Sequence, residues 1–276
     1  MRALALAGLA ALLAGCHWLF PLEDSTATGD AADDGPVDRD NDGVDNDVDV
    51  CPDASDPEQA DEDDDDLGDV CDPCPISPVN DDGDNDGVGD ACDPNPQVVG
   101  DAIVMFDGFE TDIPDGWLHE GGWTVEGGYA EVAAAPGTEA YLGPSIDARR
   151  NGTVSARFTG SVRDNATGIG VGHTLSTSGL PGLACQVYTN MGGGEAFGYI
   201  KTDDSVVQSS IPANWDLGVT YTLASQRQDG FSTCTLLDQP DTTMVVTDFM
   251  SSGMLAAARV KGMTGRFEWI LFVSSP

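Results

Sequence analysis

The chain has 276 residues, and its 11 Lys and Arg stand against 48 Asp and Glu, a formal net charge of -37 at pH 7. A surface this acidic cannot release counterions from phosphates, so nucleic acid is excluded as a partner and an anionic lipid surface would be repelled. The acid is concentrated: Asp33 to Asp93 holds 25 acidic residues and a single base, Arg39. That segment cannot bury an apolar core, whereas residues 101–276, with about 20 acids and nine bases, have the length and composition of one folded domain.

Residues 1–15 place Arg2 ahead of an Ala/Leu run too short to span a bilayer and closed by small residues, the pattern of a secretory signal. Its end, Leu13-Ala14-Gly15-Cys16, resembles the lipobox of bacterial lipoproteins, which implies cleavage before Cys16 and lipidation of that cysteine. The alternatives are an ordinary signal peptide cut nearby and an uncleaved helix running through Trp18, Leu19 and Phe20 to Pro21. Several acyl chains hold a protein at a membrane where one does not. His17 stands where an Asp commonly signals inner-membrane retention, so the resemblance points to the outer membrane, facing either the periplasm or the outside. Residues 16–37 read as a flexible tether, because Glu23 to Val37 has too little apolar surface to offset chain entropy.

Residues 38–97 are not a plain acidic tail. Asp38, Asp40 and Asp42 alternate, Gly43 follows at the sixth place, and Asp49 stands at the twelfth, the ligand arithmetic of a calcium loop. Carboxylates at places one, three and five can converge on a hard cation while glycine makes the sharp turn. Val44 at place seven offers a backbone carbonyl, and Asn46 at place nine a side-chain or water-mediated contact. The frame recurs at Asp82, Asp84, Asp86, Gly87, Val88, Asp90 and Asp93. A third copy runs through Asp61, Asp63, Asp65, Leu67, Asp69 and Asp72, with Asp66 in the place of glycine; Asp tolerates positive φ better than most residues. With no core to oppose carboxylate repulsion, ordering and ion binding are expected to be one event, with Ca²⁺ as the cofactor.

The cysteines keep phase with these frames: Cys51 follows Asp49, Cys71 precedes Asp72, Cys74 follows Pro73 and Cys92 precedes Asp93. Cys51-Pro52, Asp56-Pro57 and Gln59 lead into Asp61, and Gly68-Asp69-Val70-Cys71-Asp72 is echoed by Gly87-Val88-Gly89-Asp90-Ala91-Cys92-Asp93. These residues resemble the thrombospondin type 3 repeats. The resemblance implies a segment with little regular secondary structure, wound around calcium ions, with disulfides Cys51–Cys71 and Cys74–Cys92. Four cysteines by themselves leave three pairings open.

From Asp101 onward the pattern is that of short antiparallel strands. They are expected at Thr153 to Val162, Ile169 to Leu175, Ala184 to Tyr188, Phe197 to Lys201, Val206 to Ser209, Thr220 to Arg227, Phe231 to Leu237, Met244 to Thr247 and Phe267 to Val273. Gln228-Asp229-Gly230 is a short hairpin connection, and Ala256 to Arg259 is too short and too closely flanked by glycines for a helix. The fold class is therefore mainly β: a calcium-stabilised irregular segment followed by an antiparallel β-sandwich. Phe106-Asp107-Gly108-Phe109-Glu110, Gly116-Trp117 and Gly121-Gly122-Trp123, with the closing Phe267-Glu268-Trp269-Ile270-Leu271-Phe272-Val273, resemble the strands of concanavalin A-like, laminin-G-like jelly rolls. Cys185 and Cys234, each inside an expected strand of an exported chain, read as a disulfide.

No motif in this domain carries chemistry. Glu110-Thr111-Asp112-Ile113-Pro114-Asp115 is the nearest string to the paired carboxylates of a jelly-roll glycosidase, but Pro114 breaks strand pairing there. His119 and His173 have no partner at metal-ligand spacing, Gly192-Gly193-Gly194 reads as a loop, and Trp117 and Trp123 are expected in the core more than against a sugar. The expectation is a non-enzymatic, calcium-binding envelope lipoprotein in which a stiffened rod holds a lectin-like sandwich away from the membrane, to bind a glycan or a surface protein. A carbohydrate-active enzyme and a purely structural module are the alternatives.

Overall fold

The computed structural model describes residues 37–144, 151–175, 182–190, 192–201, 207–239, 242–247 and 255–276. The expected leader, Cys16 with its expected lipidation, and all of the expected tether but Val37 lie outside the described residues. Among the described residues the fold has no helix, and its strands pair antiparallel throughout. In chain order they are β1 Ala102–Asp107, β2 Trp117–Glu120, β3 Thr124–Val125, β4 Ala130–Ala133, β5 Glu139–Pro144, β6 Gly152–Leu175, β7 Leu183–Thr189, β8 Glu195–Lys201, β9 Val207–Pro212, β10 Thr220–Gln228, β11 Phe231–Leu236, β12 Thr243–Thr247 and β13 Leu255–Ser274.

Two long strands organise the sandwich. β6 and β13 pair along almost their whole lengths, from Gly152 opposite Ser274 to Leu175 opposite Leu255. Midway the register breaks between Lys261 and Met263, where Gly262 has φ 61° and Ala166 of β6, across from it, has φ 59°. Bulges and left-handed residues turn a strand from one layer to the next. The first layer accordingly runs β12-β11-β10, then the first half of β6 and the second half of β13, which also carries β1, β4 and β3. The second runs β2-β5, the first half of β13, the second half of β6, then β7-β8-β9.

The core lies between the layers. Phe158, Phe267 and Trp123 stack in series, with Ile169, Val187, Phe197, Trp215 and Leu223 beside them. Along β10, buried Tyr221, Leu223 and Ser225 alternate with half-buried Thr220, Thr222 and Ala224, the two-residue period of a half-covered strand. Cys185 of β7 and Cys234 of β11 join one layer to the other, and closing 49 residues of chain contributes on the order of 4 kcal/mol by loss of unfolded-state entropy. Asp229 and Gly230, with φ 51° and 82°, form the two-residue turn between Gln228 and Phe231.

Several strand expectations change in detail. Thr153 to Val162 and Ile169 to Leu175 belong to one strand, and Ala256 to Arg259 lies in β13. Ala256, Ala257 and Ala258 are all fully buried, so both faces of this stretch are covered and no alternation marks it. Trp123 is core, and Trp117 packs edge-on against Phe109 at 6.3 Å. On the second layer's face away from the core, Arg259 is fully buried and hydrogen-bonds Glu139 and Gln186. A side chain at Gly168 would strike the Gln186 amide, so glycine there leaves room for that network.

Residues 37–101 contain no helix or strand before β1, yet they do not stand off as a rod. Val88 of the third loop, with Ile76 and Cys92, packs on Trp269, Leu271 and Val273 of β13 and on Ile103 and Phe106 of β1. The expected spacer is instead a strap docked on the outer face of the first layer, because these strands present apolar side chains on both faces. Full burial of one valine stabilises by about 1.5–3 kcal/mol. Val88→Ala is therefore expected to lower the stability of strap and sandwich together by about 1–2 kcal/mol, read as one shifted transition in urea unfolding with calcium present.

Candidate metal centre

The three acidic loops fold on one plan, set by carboxylates that accept backbone N–H groups. The place-one carboxylate accepts from the place-six N–H: Asp38 from Gly43 at 3.1 Å, Asp61 from Asp66 at 3.0 Å and Asp82 from Gly87 at 2.9 Å. The place-five carboxylate accepts from place seven: Asp42 from Val44 at 2.8 Å, Asp65 from Leu67 at 2.9 Å and Asp86 from Val88 at 3.0 Å. The place-nine side chain closes the loop on the place-two N–H: Asn46 on Arg39, Asp69 on Glu62 and Asp90 on Gly83. The turn residues repeat as well. Asn41, Asp64 and Asn85 at place four have φ 64°, 61° and 64°, and place six holds Gly43 at 99°, Gly87 at 97° and Asp66 at 74°.

These bonds aim the remaining oxygens inward. Carboxylate oxygens of Asp38, Asp40 and Asp42 lie within 4.8 Å of one another, as do those of Asp61, Asp63 and Asp65 and those of Asp82, Asp84 and Asp86. At place three, Asp40 Oδ2, Asp84 Oδ2 and both oxygens of Asp63 are buried without a hydrogen-bond partner. At place twelve, Asp49, Asp72 and Asp93 each accept the N–H two residues on, and Oδ2 of Asp49 and of Asp93 is also buried and unpartnered. Buried anionic oxygens without donors are costly, and an oxygen-only set of this kind suits a hard divalent cation.

One group of residues lies outside the twelve-residue frames. The second oxygen of the place-five carboxylate binds a residue 14 or 15 positions on: Asp42 accepts from Asp56 N–H, Asp65 from the Asn80 side-chain amide, and Asp86 from Asp101 N–H. Asp56 and Asp101 are buried, and Asp56 Oδ2 and Asn80 Oδ1 have no partner. Asp86, Asp93 and Asp101 bring oxygens within 4.8 Å of one another, a fourth acidic group that includes the residue just before β1. The recurring offset from place five was the signal available in the sequence. The cysteine pairs are Cys51–Cys71 and Cys74–Cys92, each closing about one repeat.

Burial, reinforced by neighbouring carboxylates and opposed by backbone N–H groups, raises Asp69 to about 7 and Asp72 and Asp93 to about 6 in the metal-free chain. Asp82, held by the Gly87 N–H, is lowered. Of the string from Glu110 to Asp115, Glu110, raised by burial, lines a cavity of about 110 Å³ together with Asp56, Glu58 and Asp69 of the strap. His119 is exposed on β2, the His173 side chain lies outside the described residues, and Gly192 and Gly194 donate to Asn190 in a tight turn.

No family model matches the chain, and no curated protein matches it. Among solved structures, the carbohydrate recognition domain of Emp47p is 13% identical over 62% of this chain and 94% of its own, with a TM-score of 0.47. The carbohydrate-binding module CBM66 from Bacillus subtilis is 15% identical over 58% and 96%, with a TM-score of 0.45. The Bacillus licheniformis beta-glucanase is 11% identical over 62% and 98%, also at 0.45. Similarity at this level carries nothing about what the chain binds or does.

Protons and a cation compete for the same oxygens here. Cation affinity is expected to hold above about pH 7 and to fall as pH drops through 6, with protons released on binding; calorimetry in buffers of different ionisation enthalpy measures both. Without metal the sign of stability reverses. Carboxyls raised above their unfolded value near 3.9 bind more protons in the folded state, so the chelated chain gains stability as pH falls from about 7 to about 5, read by thermal melts at each pH.

Proposed function

We propose that the chain is a calcium-binding lipoprotein of the bacterial cell envelope, anchored through Cys16 at the outer membrane, whose lectin-like β-sandwich binds a glycan or a surface protein. The recurrence of one loop geometry three times, each copy leaving place-three oxygens buried and unpartnered, carries the calcium half of this reading. Backbone carbonyls at Val44, Leu67 and Val88 and the carboxylates at places one, three, five and twelve make up an oxygen set of the size Ca²⁺ prefers, whereas Mg²⁺ retains several waters. In the docked arrangement calcium fixes the strap to the sandwich instead of stiffening a spacer.

The reading is non-enzymatic. Glu139, a largely buried acid on the second layer, takes two bonds from Arg259, at 2.6 and 3.3 Å, and others from Tyr141 and Lys261. Burial alone would raise it, but Arg259 holds it below the usual carboxylate range, so it does not serve as a proton donor near neutrality. Calcium titration of the full chain by calorimetry, with melts in calcium and in chelator, tests the proposal. Uptake of several ions and a single strap-and-sandwich transition that chelator moves to lower temperature are expected; the absence of stoichiometric uptake overturns the calcium reading. Polysaccharide cleavage that disappears in Glu110→Gln or Asp112→Asn overturns the non-enzymatic one.

A further inference from the structure

The strap leaves part of the first layer's outer face open. Between residues 91–94 and strands β6, β10 and β11 runs a groove of about 250 Å³, walled by Thr153, Ser155, Gln226, Thr233 and Thr235, with Leu271 in its floor. Its hydroxyl and amide groups share the lining with apolar Ile76, Ala224, Leu237 and Leu271, no Lys or Arg lines it, and its one carboxylate is Asp93, which belongs to the third loop's acidic group. Pairing sets Gln226 opposite Thr233 and Gln228 opposite Phe231, so Phe231 stands one row further along the same face. The residue is 54% exposed.

An open aromatic ring beside a hydroxyl- and amide-lined groove matches the two sides of a pyranose. The C–H face of the sugar lies on the ring, and its hydroxyl edge reaches the polar wall. Charge narrows the class further. With a net charge of -37 and no cationic side chain in the groove, uronic acids and sulfated sugars are disfavoured and neutral ones admitted. The groove is also tied to the metal group through one residue. The Asn95 N–H binds Asp93 at 2.5 Å, its side-chain amide binds Asp101 at 3.2 Å and the Ser275 hydroxyl at 3.2 Å, and its carbonyl accepts from Gln228 at 3.4 Å.

We propose that this groove, with Phe231 as its stacking platform, binds a neutral saccharide chain in a calcium-dependent manner. The proposal rests on the glycan reading above and adds to it a surface and a ligand class. Affinity electrophoresis of the full chain through gels containing a β-glucan, a mannan, a xylan, a galactan or polygalacturonate, in calcium and in chelator, tests it. Retardation by at least one neutral polymer in calcium, abolished by chelator, is expected. Phe231→Ala and Gln226→Ala are expected to weaken it at least tenfold with melting and calcium stoichiometry unchanged, while His119→Ala on the other layer leaves it intact. Retardation that survives both groove variants overturns the site but leaves the glycan reading standing. Retardation equal in chelator overturns the calcium dependence, retardation by polygalacturonate alone overturns the ligand class, and no retardation in any gel overturns the glycan reading itself.

Discussion

Carboxylate repulsion is the constraint around which the amino-terminal part of this protein is built. Two like charges about 4 Å apart cost about 1 kcal/mol in water and about 4 kcal/mol at an effective dielectric of 20, and three loops each gather three such groups within 4.8 Å. The strap has no ladder or helix to satisfy its backbone, so its own aspartates accept the N–H groups. Those bonds fix the place-one and place-five carboxylates in one orientation, and the frame oxygens left buried without a donor are those at place three, with Oδ2 of Asp49 and Asp93 at place twelve. The same side chains that order the backbone therefore create the demand for a cation.

The sandwich answers a different problem. Its long strands pass through both layers, so the second half of β13 is covered on one side by the core and on the other by the strap, where Val88, Ile76 and Cys92 join Ile103 and Phe106 of β1 over Trp269, Leu271 and Val273. Hydrophobic docking and the acidic group at Asp86, Asp93 and Asp101 meet within a few residues, and Asn95 links that group to the carboxyl-terminal Ser275. The acidic group and the sandwich packing thus meet in one loop, which sets the third loop apart from the first two.

The twelve-residue acidic frames were legible as repeats because the same side chains recur at fixed places, and the structure repeats their turn geometry even at Asp66, where glycine is missing. The strands with regular alternation, such as β10 and β11, were legible for the same kind of reason. Asp56, Asn80 and Asp101 were not, because they sit beyond the twelve-residue window and only their offset of 14 or 15 from place five marks them. The alanines of β13 gave no signal, since a strand buried on both faces loses its period and alanine has little strand preference. The docking of the strap was hidden because Val88 and Ile76 are single apolar residues in a polar run, and only the sheet across from them shows what they are for.

The place of β13 in the architecture also fixes an order of events. Every strand that β13 joins, and the third loop that docks on it, precedes it in sequence by long stretches of chain, from Ala102 paired with Ser274 to Val88 packed on Leu271. Contacts of such separation form late, because loop-closure entropy must be overcome first. The first two loops, with a disulfide of 20-residue span, are local and can assemble as soon as they emerge. The third must wait with its apolar residues uncovered until residues 255–274 arrive, so the first two loops can form before the central strand is in place. That interval, with apolar surface still uncovered, is when the chain is most open to aggregation.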